Sequence, residues 1–190
     1  RLQGGEIPIF EPGLEALVHR TVAAGRLSFT SSTAEGVAGS EAVFIAVPTP
    51  PQPDGSVDLS FIEGVAREIA GCLTGYRVIV DKSTVPVKTA EKVAETIKRY
   101  RKTDADFDVV SNPEFLREGF AVKDTITPDR LVYGVRSGDS ASVAVLDEVY
   151  ATALSTGTPQ VVTDFATAEL VKVAANAFLA TKISFINAMA

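Results

Sequence analysis

The chain has 190 residues, 46% apolar and 22% charged, with a formal net charge of −6, which is enough to bury a core and form one domain or one and a half. That acidic balance argues against nucleic acid as the main partner, since a phosphate-binding face is basic as a whole; an anionic small molecule held by local donors is still compatible. No apolar run approaches the roughly 18 residues of a membrane span, and the N-terminal RLQGGEIPIF lacks the basic-then-apolar order of a signal peptide, so the expectation is a cytoplasmic chain with no membrane partner.

In chain order, Pro12 to Ala24 carries Leu14, Leu17, Val18 and Val22 at helical spacing, and Leu27 to Thr30 has the alternation of a strand. A continuous apolar run, Ala42 to Val47, predicts a buried strand, followed by a helix from Leu59 to Leu73 with Ile62, Val65, Ile69 and Leu73 on one side. A strand at Arg77 to Asp81 precedes a helix from Pro86 to Arg101, with Pro86 at the favoured first turn. Phe107 to Val110 and Leu131 to Val135 read as further strands, with a short one at Gln160 to Val162. The alternation of strands and helices predicts an α/β fold with a parallel sheet covered by helices. From about Asp164 to Ala190 a last helix, ~40 Å long at 1.5 Å per residue, is apolar over far more than one stripe and needs wide cover from another domain or subunit.

Cys72 and His19 are the sole cysteine and histidine, which removes a disulfide framework, a multi-thiolate zinc site and a His-based triad; no metal is expected. Cys72, inside a helix with no basic neighbour to lower its pKa, reads as a packing thiol, and His19 as a surface residue.

In an open parallel sheet, ligands bind beyond the carboxyl ends of the strands; that rule selects three loops, and a fourth feature lies on the last helix. VPTPPQPDG, Val47 to Gly55, is stiffened by prolines and is either a rigid connection or a ligand wall. In DKSTVPV, Ser83 and Thr84 stand where hydroxyls and free amides cap a helix or grip an anion or water, and capping is the better-supported role on local grounds. In SNPEFLRE, Asn112 as cap and Pro113 at the first helical position would set Glu114 and Glu118 one turn apart on one side. The helix dipole accounts for Glu114, but a like-charge pair at a strand end also fits a general base, with Arg117 able to neutralise either acid. Lys172 and Asn176, four apart on the apolar last helix, are either a surface Glu169–Lys172 pair beside an incidental asparagine or a polar slot able to steady an oxyanion.

The stretches GGEIPIFEPGLEALV, VFIAVPTPPQPDG, DKSTVPV, SNPEFLREGFAVKD, TPDRLVYGV and AELVKVAANAFLATKISFINAMA, together and in order, resemble the nucleotide-sugar 6-dehydrogenases, and STVPV with NPEFLREG is closer to the UDP-glucose branch than to the GDP-mannose or UDP-N-acetylmannosamine branches. The resemblance implies a Rossmann-like domain over residues 1–158, incomplete at its N-terminal end, and the start of a central helical dimerisation domain over 159–190. It also implies a four-electron oxidation of the primary alcohol of a UDP-sugar to a carboxylate, with two NAD molecules in turn and a cysteine thioester. By motif match, Val47, Pro48 and Thr49 would line the NAD site, with Ser83, Thr84 and Glu118 near the nicotinamide. Thr84 and Glu114 would hold and activate the hydrolytic water, while Glu114, Phe115 and Leu116 would contact the sugar. Lys172 and Asn176 would stabilise the oxyanion, and the long helix would pair two copies as a homodimer.

The family's G-x-G-x-x-G turn and its catalytic cysteine match nothing here, Cys72 included. The expectation is therefore a portion of a longer protein, inactive alone, with an unpaired edge at Ala42 to Val47. A GDP-mannose or UDP-N-acetylmannosamine 6-dehydrogenase, a related hydroxyacid dehydrogenase and a non-catalytic assembly module are the competing readings.

Overall fold

The structure, a computed structural model, describes residues 2–190. After a short 3₁₀ turn at Leu2–Gly4, the order is α1 (Leu14–Ala23), α2 (Thr33–Ala38), β1 (Ala42–Ile45), α3 (Ser60–Cys72), β2 (Arg77–Asp81), α4 (Thr89–Tyr100) and β3 (Phe107–Ser111). There follow α5 (Ala121–Ile126), β4 (Leu131–Gly134), α6 (Ala141–Val149), α7 (Ala151–Ser155), β5 (Gln160–Thr163) and α8 (Phe165–Met189). The α/β class expected from the alternation is what is found.

The five strands lie in sequence order. β1, β2 and β3 are parallel, with Phe44 opposite Val80 and Ile79 opposite Val109. Alternation along β2 divides the core in two. Ile79 faces α3 and α4 and packs with Ile45, Ile62, Ile69, Val93 and Ile97. Val78 and Val80 face the other way, toward Tyr133, Leu146 and Val110. Cys72 packs at the margin of the first cluster, and His19 is exposed on α1.

Three local expectations differ. Leu27 to Thr30 is extended but pairs with no strand among the described residues: alternation favours an extended chain, and only a ladder partner makes it a strand. β1, by contrast, has the free edge expected of it, paired on one side by β2 among the described residues. β4 runs antiparallel to β3, meeting it at Ser111 and Gly134. The segment from 112 to 130 stays at the carboxyl end of β3, where its helix α5 has only six residues, too short for the crossover that a parallel neighbour requires. β4 and β5 are parallel to each other.

The third difference is the start of α4, at Thr89 instead of Pro86. Lys88, in its N-cap position, has a left-handed φ of 80° and supplies no side-chain cap. The cap comes from 81 residues away: Glu169, on α8, accepts 2.7 Å hydrogen bonds from the amides of Lys88 and Ala90. Its carboxylate is 2% exposed, and two donors at the positive end of a helix answer its charge.

α8 lies tightly on β4. A Cβ at Gly134 would stand 2.6 Å from Ala168 Cβ and 3.0 Å from the Asp164 carbonyl, so only glycine allows that approach. Asp164 caps α8 by accepting from the Thr167 amide at 2.8 Å. Beyond Asn176 the helix leaves the sheet and is exposed all round, with Phe178 at 68% and Met189 at 71%. Among the described residues no helix is long and apolar enough to cross a membrane.

Glu169→Ala strands the buried Ala90 amide and frees the partly buried Lys88 amide, which predicts a loss of about 1–3 kcal/mol, read as a lower urea midpoint at an unchanged slope. Glu169→Gln keeps an acceptor and loses less; equal midpoints for the alanine variant and the parent would refute the cap.

Candidate functional site

The carboxyl ends of β1, β2 and β3 bring three loops side by side. The first is the proline loop, closed on itself by a Pro51–Val57 bridge and a turn at Gly55, φ 84°. Ser83, from the loop after β2, joins the two: its hydroxyl accepts from the Val47 amide at 3.1 Å and donates to the Val47 carbonyl at 3.0 Å. Thr49 returns the link, donating from Oγ1 to the Thr84 carbonyl at 2.9 Å. Ser83 and Thr84 therefore do not cap a helix, since α4 begins five residues later. Thr84 keeps its own hydroxyl without an intramolecular partner among the described residues.

The third loop departs most from expectation. Residues 112–117 are not helical, a turn follows at 118–119, and α5 begins only at Ala121. Asn112 cannot serve as a cap because its side chain is spent below the loop, fully buried. Its amide group donates to the Val132 carbonyl at 2.9 Å, and its Oδ1 accepts from Tyr150 at 2.7 Å and from Lys82 at 3.2 Å. Glu114 and Glu118 thus do not share a helix face. Arg117 neutralises neither of them, being bound to Asp124 through Nε at 2.9 Å and Nη2 at 2.7 Å.

What Glu114 meets instead is Lys172. Their Oε1 and Nζ are 2.9 Å apart, linking the loop after β3 to the middle of α8, while Glu114 Oε2 accepts from the Leu116 amide at 2.6 Å. Lys172 is 6% exposed, so the surface Glu169–Lys172 pair is not what forms: each buried side chain serves a different loop. The Phe115 ring lies under two cations, Arg130 at 4.1 Å and Lys172 at 5.5 Å. Leu116 is on the rim, 40% exposed. Glu118 and Asn176 are exposed and without hydrogen bond or ion pair among the described residues; Asn176 follows Lys172 by one helical turn.

Sequence reasoning passed over several members of this site. Glu11, in the segment before α1, accepts from the amides of Gly119 at 3.1 Å and Ala121 at 2.6 Å, fixing the end of the Glu114 loop. With 108 residues between the partners, no local spacing marks it. Lys82, Tyr150 and Arg130 line a cavity of about 70 Å³ together with Glu114 and Phe115. Lys82 was legible in principle as a lysine at the very end of a buried strand.

Two groups beneath the loops have shifted titrations. Burial pushes the Asp81 carboxyl up to about 7, against the pull of the Ser83 amide and helped by Glu169; one of its oxygens is buried with no partner among the described residues. Burial lowers the Lys82 ammonium to about 8, opposed by Glu114 and aided by Lys172.

Residues 1–154 match the model for the UDP-glucose/GDP-mannose dehydrogenase family, NAD binding domain, and residues 166–190 that for the same family's central domain. The chain is 52% identical over 190 residues to UDP-glucose 6-dehydrogenase of Rhizobium meliloti and 45% identical over 189 residues to UDP-glucose 6-dehydrogenase TuaD of Bacillus subtilis. All of the chain is covered in both alignments, and it spans 43% and 40% of the length of these relatives. Among solved structures, a UDP-glucose dehydrogenase from Pyrobaculum islandicum superposes with a TM-score of 0.92 at 44% identity, covering 100% of this chain and 43% of that one. A GDP-mannose dehydrogenase from Pseudomonas aeruginosa gives 0.90 at 35% identity, covering 98% and 43%.

Asp81 binds its proton more tightly folded than unfolded, so folding stability falls as pH rises from about 4 to about 7. Asp81→Asn abolishes that contribution. The stability of the variant minus that of the parent should grow by roughly 4 kcal/mol across this window, measured by urea unfolding at pH 4, 5.5 and 7; a difference independent of pH would contradict the buried neutral acid.

Proposed function

The chain belongs to the UDP-glucose/GDP-mannose dehydrogenase family, and from that premise we propose that it is the NAD-binding part, with the start of the central helix, of an enzyme that oxidises UDP-glucose to UDP-glucuronate. NAD is the cofactor of the matched domain. The donor set fits it: a rigid proline loop, the backbone at Val47, and a half-buried Thr84 hydroxyl that the protein leaves unspent. NAD supplies a hydride acceptor, used twice for a four-electron oxidation.

The observation that carries the reading is the Glu114–Lys172 pair, 2.9 Å apart at the carboxyl end of β3. An ammonium there is positioned to stabilise the alkoxide from which hydride leaves the sugar carbon, and the oxyanion that forms as water attacks the acyl group. The carboxylate, held by the Leu116 amide, accepts the proton of that water, while Thr84 helps hold it. The acyl group under attack is carried by a cysteine of the full-length enzyme that is not Cys72, which packs against the core. Val47, Pro48, Thr49 and Ser83 line the cofactor. Glu118 contacts it from the exposed turn, Phe115 and Leu116 contact the sugar, and Asn176 extends the oxyanion site one turn along α8. The identity of 52% to a UDP-glucose 6-dehydrogenase favours UDP-glucose over GDP-mannose. The bare apolar end of α8, with Phe178, Leu179, Ile183 and Ile186 all above half exposed, supports a homodimer formed through this helix.

In a full-length enzyme containing these residues, Glu114→Gln should slow release of the acid and let a covalent sugar adduct accumulate, detected by mass spectrometry of the intact protein. Lost activity without an adduct removes Glu114 from that role. Lys172→Ala should lower kcat by roughly 10²-fold or more while NAD affinity changes little; a pure binding defect contradicts the oxyanion assignment. NADH formation with GDP-mannose and none with UDP-glucose would overturn the choice of sugar.

A further inference from the structure

The site contains a second lysine, half-buried, to which the mechanism assigns no role. Lys82, the first residue after β2, sends its ammonium under the Glu114 loop, where it donates to the Asn112 carbonyl at 3.3 Å and to Asn112 Oδ1 at 3.2 Å. It stands 5.8 Å from the centroid of the Tyr150 ring and lines the same cavity as Glu114. An ammonium has three donors. Two go to neutral oxygens of Asn112, and no carboxylate among the described residues comes within ion-pairing distance of Lys82.

A partly buried cation with only amide partners gains its electrostatic compensation from charges farther off. The carboxylate that acts on it is Glu114, already bonded to Lys172. One carboxylate thus faces two ammoniums, and the trio has one positive charge in excess. Two demands on Lys172 conflict: it is bonded to Glu114, yet it must serve the sugar oxygen when that is an oxyanion. If it were the only cation present, serving the oxyanion would leave Glu114 uncompensated and place two negative charges against one positive.

Resting on that reading, we propose that Lys82 is a positioning residue of the site: the second ammonium, fixed from below by Asn112, which holds Glu114 charged and in place while Lys172 turns to the oxyanion. With Lys82 present, an oxyanion brings the group to neutrality; without it, the group goes to net negative at the moment of reaction. The other charges around Lys82 do not substitute for it. Asp124 on α5 is committed to Arg117, and Asp129 and Arg130 before β4 are of opposite sign. Burial holds the Tyr150 hydroxyl neutral, its pKa pushed up to about 12, and Asp81 on β2 would itself be largely ionised above about pH 7.

The direction of the pH effect follows. Lys82 is charged below about pH 8 and neutral above it, so the excess charge is present on the acid side and lost on the alkaline side. An arginine, which does not deprotonate in proteins, retains it.

The test compares kcat against pH, from 6.5 to 10, for the full-length enzyme and its Lys82→Gln and Lys82→Arg variants, with melting temperatures recorded alongside. Lys82→Gln should lower kcat at pH 7 about tenfold or more, flatten the alkaline limb, and leave KM for NAD within about twofold. Lys82→Arg should move the alkaline limb upward by at least one pH unit. A Gln variant with parental kcat and limb overturns the proposal, and so does an Arg variant whose limb stays in place, which decides the matter even if the Gln variant fails to fold. The sugar reading fails separately: a parent enzyme active on another nucleotide sugar but not on UDP-glucose loses the substrate assignment, and the Lys82 comparison then runs on the active sugar. A parent that oxidises none overturns both.

Discussion

Glu169 and Lys172, three residues apart on α8 and both buried, tie one helix to two loops of the sheet by charge. Glu169 reaches the start of α4, where two amides and the helix dipole receive it. Lys172 reaches Glu114 on the loop after β3. Either charge alone would be costly to bury, and each is compensated only when α8 sits at one height on the sheet. Gly134 permits that height by letting the helix backbone approach β4 without a Cβ between them. The site is thus a product of docking: its acid and its ammonium lie on separate elements 58 residues apart, and neither has the other as neighbour until the helix is seated.

This dependence explains which parts were legible in the sequence. β2 and β3 match the pattern almost to the residue, because Val78, Ile79, Val80, Val109 and Val110, buried on both faces, leave little alternative. The pattern puts the start of α4 three residues early, since its cap is the distant Glu169 and nothing local to Pro86 announces it. It predicts a helix after β3 because Asn-Pro-Glu is a good local start signal. The buried bonds of Asn112 to Val132, Tyr150 and Lys82 override that signal. Local propensity loses where a tertiary partner takes the capping side chain.

Which residues meet was more legible than how they meet. For Lys172 the sequence leaves open a surface pair with Glu169 or a polar slot; the side chain is buried and bonds to Glu114, with which the family resemblance groups it, and no spacing announces that direct pair. Lys82 and Glu11 escaped notice for a shared reason. Each acts through contacts 30 or more residues away, and a single sequence carries no spacing signal at such range. Extending residues 112–117 instead of coiling them has its own effect: the Glu114 carboxylate bends back onto the Leu116 amide, which sets its orientation before any ligand arrives.

The close contact of Ala168 with Gly134 gives α8 a fulcrum. Lys172 lies about 6 Å beyond that point and Met189 about 32 Å beyond it, at 1.5 Å per residue. For a stiff rod pivoting there, a sideways movement of 1 Å at the far tip arrives at the ammonium as roughly 0.2 Å. The short arm holds the reactive group and the long arm the sticky apolar surface, so thermal swaying or a change of neighbours out at the tip is geared down fivefold before it can disturb the ion pair.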